Sequence, residues 1–417
     1  MKKQLGFEKF ILLLFGLALI AIMPLAVAVF PDAYHHHLFL LSRFYLVLGT
    51  LAIGFGVLNL ARWLQRQSAS RTRKIALAIA IISVMIQVWL AVYILGDNIY
   101  DGMDTRFQVV NMLHGSRQWI PYFHELAENN VPLTLIEYWL LAGFKWLHVN
   151  GWIGLNITLF IWLDLTFAML WQLLKRHLGL AIATVSLLIA AVYFPFYGYA
   201  LFFYTDGLAV LFPVLTLWLL ERYQQTKSTV KRYGLMVIMG LALWLAFWIK
   251  GNNAILLIAL AIVMLWQHSF GWRKAVLSLA VVGVIFAGGL QIGPKIEQYY
   301  GYHQPMTQKM PALTWTMLGW NFETQGSSSH ADTGMVQHQK GYAQKQALIK
   351  RTLKQRLLKT SPQRLAYHLI RKLSLMWAYG GLDVQETLNQ AQHYPKIYQY
   401  LYGTKKAWLA SEVPYNC

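Results

Sequence analysis

Residues 75–96 read IALAIAIISVMIQVWLAVYILG and contain no charged side chain. They lie between the basic run Arg71-Thr72-Arg73-Lys74 and the acid Asp97. The hydrocarbon core of a bilayer is about 30 Å thick, so a helix needs about 20 apolar residues to cross it. These 22 residues therefore predict a transmembrane helix with one basic end and one acidic end.

The composition of the whole chain agrees with a membrane environment. Of its 417 residues, 57% are hydrophobic and 13% are charged, whereas a soluble domain carries about 25% charged residues. The 17 Trp and 23 Tyr residues are typical of a protein with many helix ends at headgroup level. The single Cys, Cys417, excludes an intrachain disulfide.

Further apolar stretches predict an all-α polytopic membrane protein, a helical bundle of about nine spans. The predicted spans are residues 8–30, 38–61, 75–96, 152–174, 178–196, 206–221, 233–249, 254–268 and 275–293. Basic residues crowd the connections at 62–74, 175–177, 222–232 and 273–274. Such residues mark cytoplasmic loops. The N-terminus is then cytoplasmic, and the remaining connections face outward across the cell membrane.

Residues 131–148 are apolar but do not fit this scheme as a span, because a crossing there would place Lys175 and Arg176 outside. The stretch also carries Glu137 and Lys145. We therefore predict an amphipathic helix that lies in the outer interface.

Four consecutive regions follow from these assignments. They are a three-span region at 1–96, an outer loop at 97–151, a six-span bundle at 152–293 and an outer basic segment at 294–417. The last region holds fifteen Lys or Arg residues and six acids. This excess indicates either attraction to anionic lipid headgroups or a site that handles phosphates.

Three acids stand close together at the outer end of the third predicted span: Asp97, Asp101 and Asp104. Mutual repulsion and partial desolvation raise carboxyl pKa values, which suits a general base. The same group could clamp a divalent metal, although no cofactor is required. The alternative is a solvated helix end with ordinary acids.

Two further charged residues lie at predicted outer helix ends. Asp206 opens the sixth span within Tyr204-Thr205-Asp206-Gly207, and Lys250 follows the seventh. Membrane-edge acids often mark functional sites, but an Asp at a helix N-terminus also caps free N–H groups. Lys250 can snorkel to water, pair with Asp206 or bind a phosphate oxygen.

The remaining polar residues narrow the choice of substrate. Asp164 lies inside a predicted span, where we expect it to form a hydrogen bond within the bundle. The tract His35-His36-His37 makes a poor metal site because consecutive side chains point in different directions. No Gly-rich nucleotide-binding motif is present. We therefore predict no nucleic-acid partner and a substrate that arrives through the lipid bilayer.

Several short motifs occur in a fixed order on the predicted outer side. Asp101 precedes Gly115 by fourteen positions. The others are Asn129-Asn130-Val131-Pro132-Leu133, Thr205-Asp206, Lys250-Gly251, Met310-Pro311 through Trp315 and Gly319, then Gly326 and Asp332. Together they resemble the GT-C superfamily of membrane glycosyltransferases, on the branch of protein O-mannosyltransferase and aminoarabinose transferase-like bacterial enzymes, with the last segment similar to Gram-positive members.

The chain also departs from that family in three ways. Two spans precede the usual first one, and Gly102 replaces the Glu that commonly follows the Asp, so that Asp104 can share or take the base role. The family's later spans have no counterpart before Cys417. The chain is therefore expected to be a short variant or a truncated product.

The resemblance implies transfer of a sugar from a polyprenyl-phosphate-linked donor to a cell-envelope glycan or another lipid-linked acceptor. It assigns the base role to Asp101 or Asp104, and substrate binding to Asp206, Lys250, Asp97 and Asp332. Two other functions remain open: a transporter or flippase of lipid-linked glycans, and a non-catalytic subunit for envelope assembly.

Overall fold

The computed structural model describes residues 2–28, 43–96, 101–266, 271–377 and 391–393. This part of the chain is almost entirely helical. Its first nine helices are α1 (Lys2–Ala28), α2 (Arg43–Gln65), α3 (Ala69–Tyr93), α4 (Asp101–Leu113), α5 (Pro121–Glu125), α6 (Val131–Trp146), α7 (Gly151–His177), α8 (Leu180–Val192) and α9 (Phe194–Ala200).

The second half of the described chain continues in the same way. Its helices are α10 (Thr205–Ala209), α11 (Leu211–Gln225), α12 (Thr229–Ile249), α13 (Ala254–Trp266), α14 (Trp272–Tyr299), α15 (Leu313–Gly319), α16 (His330–Gln337), α17 (Tyr342–Leu358) and α18 (Pro362–Trp377). Two single 3₁₀ turns, η1 (Glu128–Asn130) and η2 (Gly251–Asn253), precede α6 and α13. The strands of the described residues, β1 (Leu95–Gly96) and β2 (Ala391–His393), form one antiparallel pair.

Five of the described helices are long and apolar enough to cross a membrane, or six if a bent pair counts as one span. They are Val47–Gln65 within α2, then α3, α7, α12 and α14, and the bent pair is α8 with α9. Large apolar side chains on them face outward, such as Ile53 at 69% and Met85 at 66% exposure. Lipid is the solvent in which such surfaces are stable.

The nine predicted spans are thus not confirmed, and two proline residues account for part of the difference. The predicted span 206–221 is interrupted at Val210, between α10 and α11. Pro213 has no N–H and its ring crowds the carbonyl four residues earlier, which breaks a continuous helix there. Similarly, α8 and α9 bend by 61° at the residue before the Phe194-Pro195 start of α9.

Two other predicted spans end next to residues outside the description. Helix α13 (Ala254–Trp266) lies in the predicted span 254–268. Helix α1 (Lys2–Ala28) covers the predicted span 8–30 as far as Ala28. The predicted helix at 131–148 is present as α6.

The chain forms two compact units, each assembled from separate pieces of sequence. One unit comprises residues 1–56, 118–128 and 301–382, and the other comprises 57–117, 129–300 and 383–417. We call them the tail unit and the bundle unit.

Helix α7 lies at the centre of the bundle unit, where it packs against α3, α6, α8 and α11. Its inward side chains include Leu155, Leu159 and Phe160, all nearly inaccessible. Helices α12 and α14 approach closely because Gly289 lies under the Trp244 ring, and a Cβ atom there would lie 2.1 Å from it. Small residues of this kind allow membrane helices to pack.

The tail unit has a separate, smaller core made by Met310, Met317, Val336 and Ile349. An ion pair closes it: the Arg356 guanidinium donates to both Asp332 oxygens, at 2.8 and 3.0 Å.

Candidate functional site

The Tyr204 hydroxyl is the meeting point of three helix starts in the bundle unit. It donates to Asp101 Oδ2 at 3.0 Å and accepts from Asn130 Nδ2 at 3.3 Å. Tyr204 directly precedes α10, Asp101 is the first residue of α4, and Asn130 directly precedes α6. Free backbone N–H groups at helix starts favour negative charge nearby. The arrangement brings three polar side chains together at helix starts.

Burial raises the pKa of the Tyr204 hydroxyl far above its ordinary value of 10, and the negative charge of Asp101 raises it further. The neighbouring charge of Asp206 acts in the same direction, while the Asn130 hydrogen bond opposes it. The hydroxyl consequently keeps its proton at any physiological pH. Tyr204 is a permanent donor to Asp101.

Asp104 follows Asp101 by three positions on α4, so both carboxylates lie on one side of the helix. Burial raises the pKa of the Asp104 carboxyl above its ordinary value of 3.8, and the charge on Asp101 adds to that effect. Both causes were anticipated from the sequence. The structure identifies burial as the larger one.

Lys250 and Asp206 form an ion pair through Lys250 Nζ and Asp206 Oδ1. Lys250 directly follows α12, and Asp206 is the second residue of α10. Their side chains stay accessible, at 30% and 45% respectively. Two residues 44 positions apart in sequence thus form a contact. This agrees with one of the three interpretations of Lys250, its pairing with Asp206.

Asp206 follows Tyr204 by two positions at the start of α10, which places the ion pair beside the Asp101 contact along the chain. We define the Tyr204 cluster as Asp101, Asp104, Asn130, Tyr204, Asp206 and Lys250. It combines a carboxylate that can accept a proton with an accessible cation that can meet an anion.

A buried ion pair joins two of the helices that carry this cluster. Arg106 Nε donates to Glu137 Oε1, which joins α4 to α6. The Glu137 side chain is fully buried, and the Arg106 guanidinium lies 3.9 Å from the centre of the Trp152 ring. Burial raises the pKa of Glu137, and the Arg106 charge partly opposes the shift.

Sequence reasoning missed the pair. It took Glu137 as a sign that residues 131–148 present a polar face to the membrane interface, whereas the structure turns this side chain inward. The available signal was that Arg106 is the single basic residue of α4 and Glu137 the single acid of α6. Asn130 and the Tyr204 hydroxyl were also not identified as site residues.

Asp332 belongs to the tail unit and is only 5% exposed. Its carboxylate accepts from Arg356 and from Asn321 Nδ2 at 3.0 Å, and its N–H donates to Ser329 Oγ. These contacts give Asp332 a structural role in the tail unit, and its contact with substrate stays a prediction.

Other predictions have simpler outcomes. Asp97 and the tract His35–His37 lie outside the described residues. Asp164 accepts from Gln87 Nε2 at 2.8 Å, which confirms the predicted hydrogen bond within the bundle. Among the described residues, no three His, Cys, Asp or Glu side chains come together as metal ligands. The described carboxylates therefore do not fit a metal clamp by themselves.

The apolar helices define the class of this protein: an integral membrane protein with a helical bundle and a charged cluster at helix ends. The sequence model of one family, described as conserved hypothetical integral membrane protein, matches residues 6–395. The chain belongs to that family. No curated protein and no solved structure matches it.

Proposed function

We propose that the protein transfers a sugar from a polyprenyl-phosphate-linked donor to a hydroxyl acceptor at the extracytoplasmic face of the cell membrane, as a glycosyltransferase of the GT-C type. The observation that carries the proposal is the Tyr204 cluster, in which the Asp101 carboxylate and the accessible Lys250 amine belong to one group of interacting side chains. A transferase of this kind needs both a base and a cation.

Asp101 would accept the proton of the acceptor hydroxyl while that oxygen attacks the anomeric carbon. The bond between the anomeric carbon and the phosphate oxygen then breaks, and polyprenyl phosphate leaves with its negative charge. Lys250 would stabilise that charge, because a preorganised cation acts where charge develops. Asp206 holds the amine in place until the phosphate arrives.

Asp104 is the second candidate for the base, since burial already raises the pKa of its carboxyl. A base whose pKa lies closer to the working pH takes up a proton more readily. Asp97 remains a predicted contributor to substrate binding.

The orientation is part of the proposal and has support within the bundle unit. Arg176 at the end of α7 pairs with Glu221 near the end of α11, at 2.8 Å. These basic ends lie away from the start of α10, where Asp206 is found. If the basic ends are cytoplasmic, the Tyr204 cluster faces outward.

The nine-span topology also stays a proposal. It requires that α10 with α11, and η2 with α13, cross the bilayer as interrupted helices, and that α6 lies in the interface. Impermeant thiol reagents can test this in intact cells after Cys417 is replaced by Ser. Cysteines at Asn129 and Asn150, which are both exposed, should label, whereas one at Lys227 should not.

The decisive experiment supplies a labelled polyprenyl-phosphate sugar to the purified protein in proteoliposomes. Release of polyprenyl phosphate that depends on an acceptor is the expected result. The Asp101→Asn variant should release none, and a matched variant at the exposed acid Glu323 of the tail unit, Glu323→Gln, should behave as wild type. Release equal to wild type by both Asp101→Asn and Asp104→Asn would refute the proposal.

A transporter or flippase for lipid-linked glycans is the second candidate. Two observations favour it: the 61° bend between α8 and α9, and the Gln87–Asp164 hydrogen bond between membrane helices α3 and α7. Broken helices and intramembrane acids are features of transporters. In the same proteoliposomes, movement of intact labelled donor across the bilayer without polyprenyl phosphate release would identify this function.

A further inference from the structure

Helix α18 has its polar side turned toward the protein. His368 and Ser374, on that side, are almost inaccessible, at 2% and 1% exposure. His368 Nε2 lies 3.1 Å from the Gly319 carbonyl oxygen, and Lys372 Nζ donates to the same oxygen at 3.0 Å. Arg371 Nε donates to Gln325 Oε1 at 3.2 Å. The polar residues thus attach the helix to the 319–325 segment of the tail unit.

The apolar side of α18 is turned outward. Its residues recur at intervals of three and four, which places them in one stripe along the helix. The stripe consists of Leu369, Ile370, Leu373, Met376 and Trp377, with exposures from 41% at Leu373 to 63% at Met376. A water-soluble surface would carry the opposite arrangement, with polar residues outside. The stripe therefore requires an apolar environment.

Helix α1 indicates what that environment is. It packs against α18 within the tail unit, and its own large apolar side chains are exposed, among them Leu12 and Ile20 at 68% each. A helix of that composition in an integral membrane protein is stable only in lipid. The two contacting helices therefore both expose apolar side chains that are stable in lipid.

The charge of α18 argues against a crossing. Its sixteen described residues carry Arg364, Arg371 and Lys372. An amphipathic helix of this type lies in the plane of the interface. Trp377 on the stripe and Tyr367 beside it are residue types favoured at that depth.

Helix α17, which directly precedes α18 in the chain, carries positive charge. Lys350, Arg351 and Lys354 share one exposed side of α17, and none of them forms an ion pair with an acid of the described residues. Between residues 301 and 377 the chain has eleven Lys or Arg residues and two acids. Basic residues that adjoin an interfacial helix attract anionic lipid headgroups.

We propose that α17 and α18 form a lipid-binding surface, on which the α18 stripe enters the headgroup–acyl boundary and the α17 cations bind anionic headgroups. The occupant of the stripe is the bilayer of the membrane in which the protein resides, not a protein partner. The inference is independent of the glycosyltransferase proposal, because it uses only residues of the tail unit.

Depth-dependent fluorescence quenching tests the position of the stripe. The full chain, with Cys417 replaced by Ser, receives single cysteines at Leu373 or Met376 for bimane labelling and enters nanodiscs of phosphatidylcholine and phosphatidylglycerol. The matched control is Gln355→Cys, an exposed polar position on α17. We expect doxyl lipids labelled near the glycerol to quench both stripe labels most strongly, at a depth of about 5–10 Å.

Aqueous iodide should quench the Gln355 control and leave the stripe labels almost unaffected. Stripe labels quenched mainly by iodide would show that the stripe on α18 is exposed to water. Labels quenched by neither reagent would show a face covered by protein. Stronger quenching by doxyl groups at the acyl chain end would show a helix deep in the core. Each of these three results overturns the proposal.

A separate experiment tests whether the α17 cations bind anionic headgroups. At equal mole fraction, doxyl-labelled phosphatidylglycerol should quench the Leu373 label more than doxyl-labelled phosphatidylcholine. The difference should disappear in the triple variant Lys350→Gln/Arg351→Gln/Lys354→Gln and persist in Lys227→Gln/Lys231→Gln, which removes two exposed cations of the bundle unit. Equal quenching by both lipids in the unsubstituted protein would refute headgroup binding.

Discussion

Two ion pairs in the bundle unit combine the same kinds of group in opposite environments. Arg106 and Glu137 are 10% and 0% exposed, whereas Lys250 and Asp206 are 30% and 45% exposed. The first pair joins α4 to α6. The second joins the end of α12 to the start of α10. The chemistry of the partners is similar, and only their access to solvent differs.

The difference teaches what each pair can do. A buried pair is costly to break, because either charge left alone has lost its hydration. An accessible pair contributes little stability, since water and salt compete with it. The Arg106–Glu137 pair therefore fixes the position of α4 and of the Asp101 that begins it. The Lys250–Asp206 pair can open and exchange its carboxylate for another anion.

The largest expected effect is the loss of transfer activity when the proposed base, Asp101, is replaced. Asp101→Asn removes the ionisable oxygen but keeps the side-chain shape, so transfer activity should fall by about 10²- to 10⁴-fold, the usual contribution of a general base. The melting temperature should hardly change. Turnover of purified protein, measured beside a thermal-shift assay, separates the two quantities.

Asp104→Asn sharpens this result, because we expect it to reduce activity less than Asp101→Asn. Normal turnover in Asp101→Asn together with a large loss in Asp104→Asn would move the base role to Asp104.

The second largest effect is a loss of folding stability when the buried Arg106–Glu137 pair is broken. Arg106→Met leaves Glu137 without a partner and should lower the free energy of unfolding by about 3–5 kcal/mol. The double variant Arg106→Met/Glu137→Leu should recover much of the loss, because an apolar pair needs no compensation. Thermal unfolding in detergent compares the three proteins. An equally unstable double variant would show that packing against Trp152, and not charge, makes the contribution.

Lys250→Gln should have an intermediate effect on function and almost none on folding. Loss of a charge-assisted contact to the donor phosphate, about 1.5–3 kcal/mol, would weaken donor use by about 10- to 100-fold. Lys250→Arg should restore part of it, since the charge is retained. The apparent KM for donor, compared with that for acceptor, is the measurement. Identical behaviour of the two variants, with little loss, would mean that Lys250 only snorkels to water.

The smallest effect is a dependence of stability on pH that arises from Asp104. Its pKa is raised in the folded protein above 3.8, so the folded state binds the proton more tightly than the unfolded state. The resulting stability is present below the unfolded pKa and is lost as pH rises through the folded pKa. Thermal unfolding from pH 3.8 upward should show this decline, and Asp104→Asn should lack that part of it. Superimposable pH curves for wild type and variant would contradict the assignment.

Sequence reasoning located much of the Tyr204 cluster, because its charged members lie at the ends of apolar stretches. Asp101, Asp104, Asp206 and Lys250 were all identified before their contacts were known. It missed Arg106 and Glu137, because a buried charge and an interfacial charge look alike in sequence until their partners are known. Sequence reasoning also did not identify the ion pair of Asp332 with Arg356 in the tail unit.

The sequence alone determined that this is a helical integral membrane protein, because uncharged stretches of about 20 residues are stable only in lipid. It also placed a hydrogen-bonded Asp164 inside the bundle. Only the tertiary structure decided which charges meet and which of them are buried. The spacing of apolar residues predicts single helices but not which helices contact each other. The contact of Tyr204 with Asp101 joins residues 103 positions apart, and the contact of Lys250 with Asp206 joins residues 44 positions apart. The helices packed around such a contact determine how much water reaches it. That access to water distinguishes a buried structural ion pair from an accessible one.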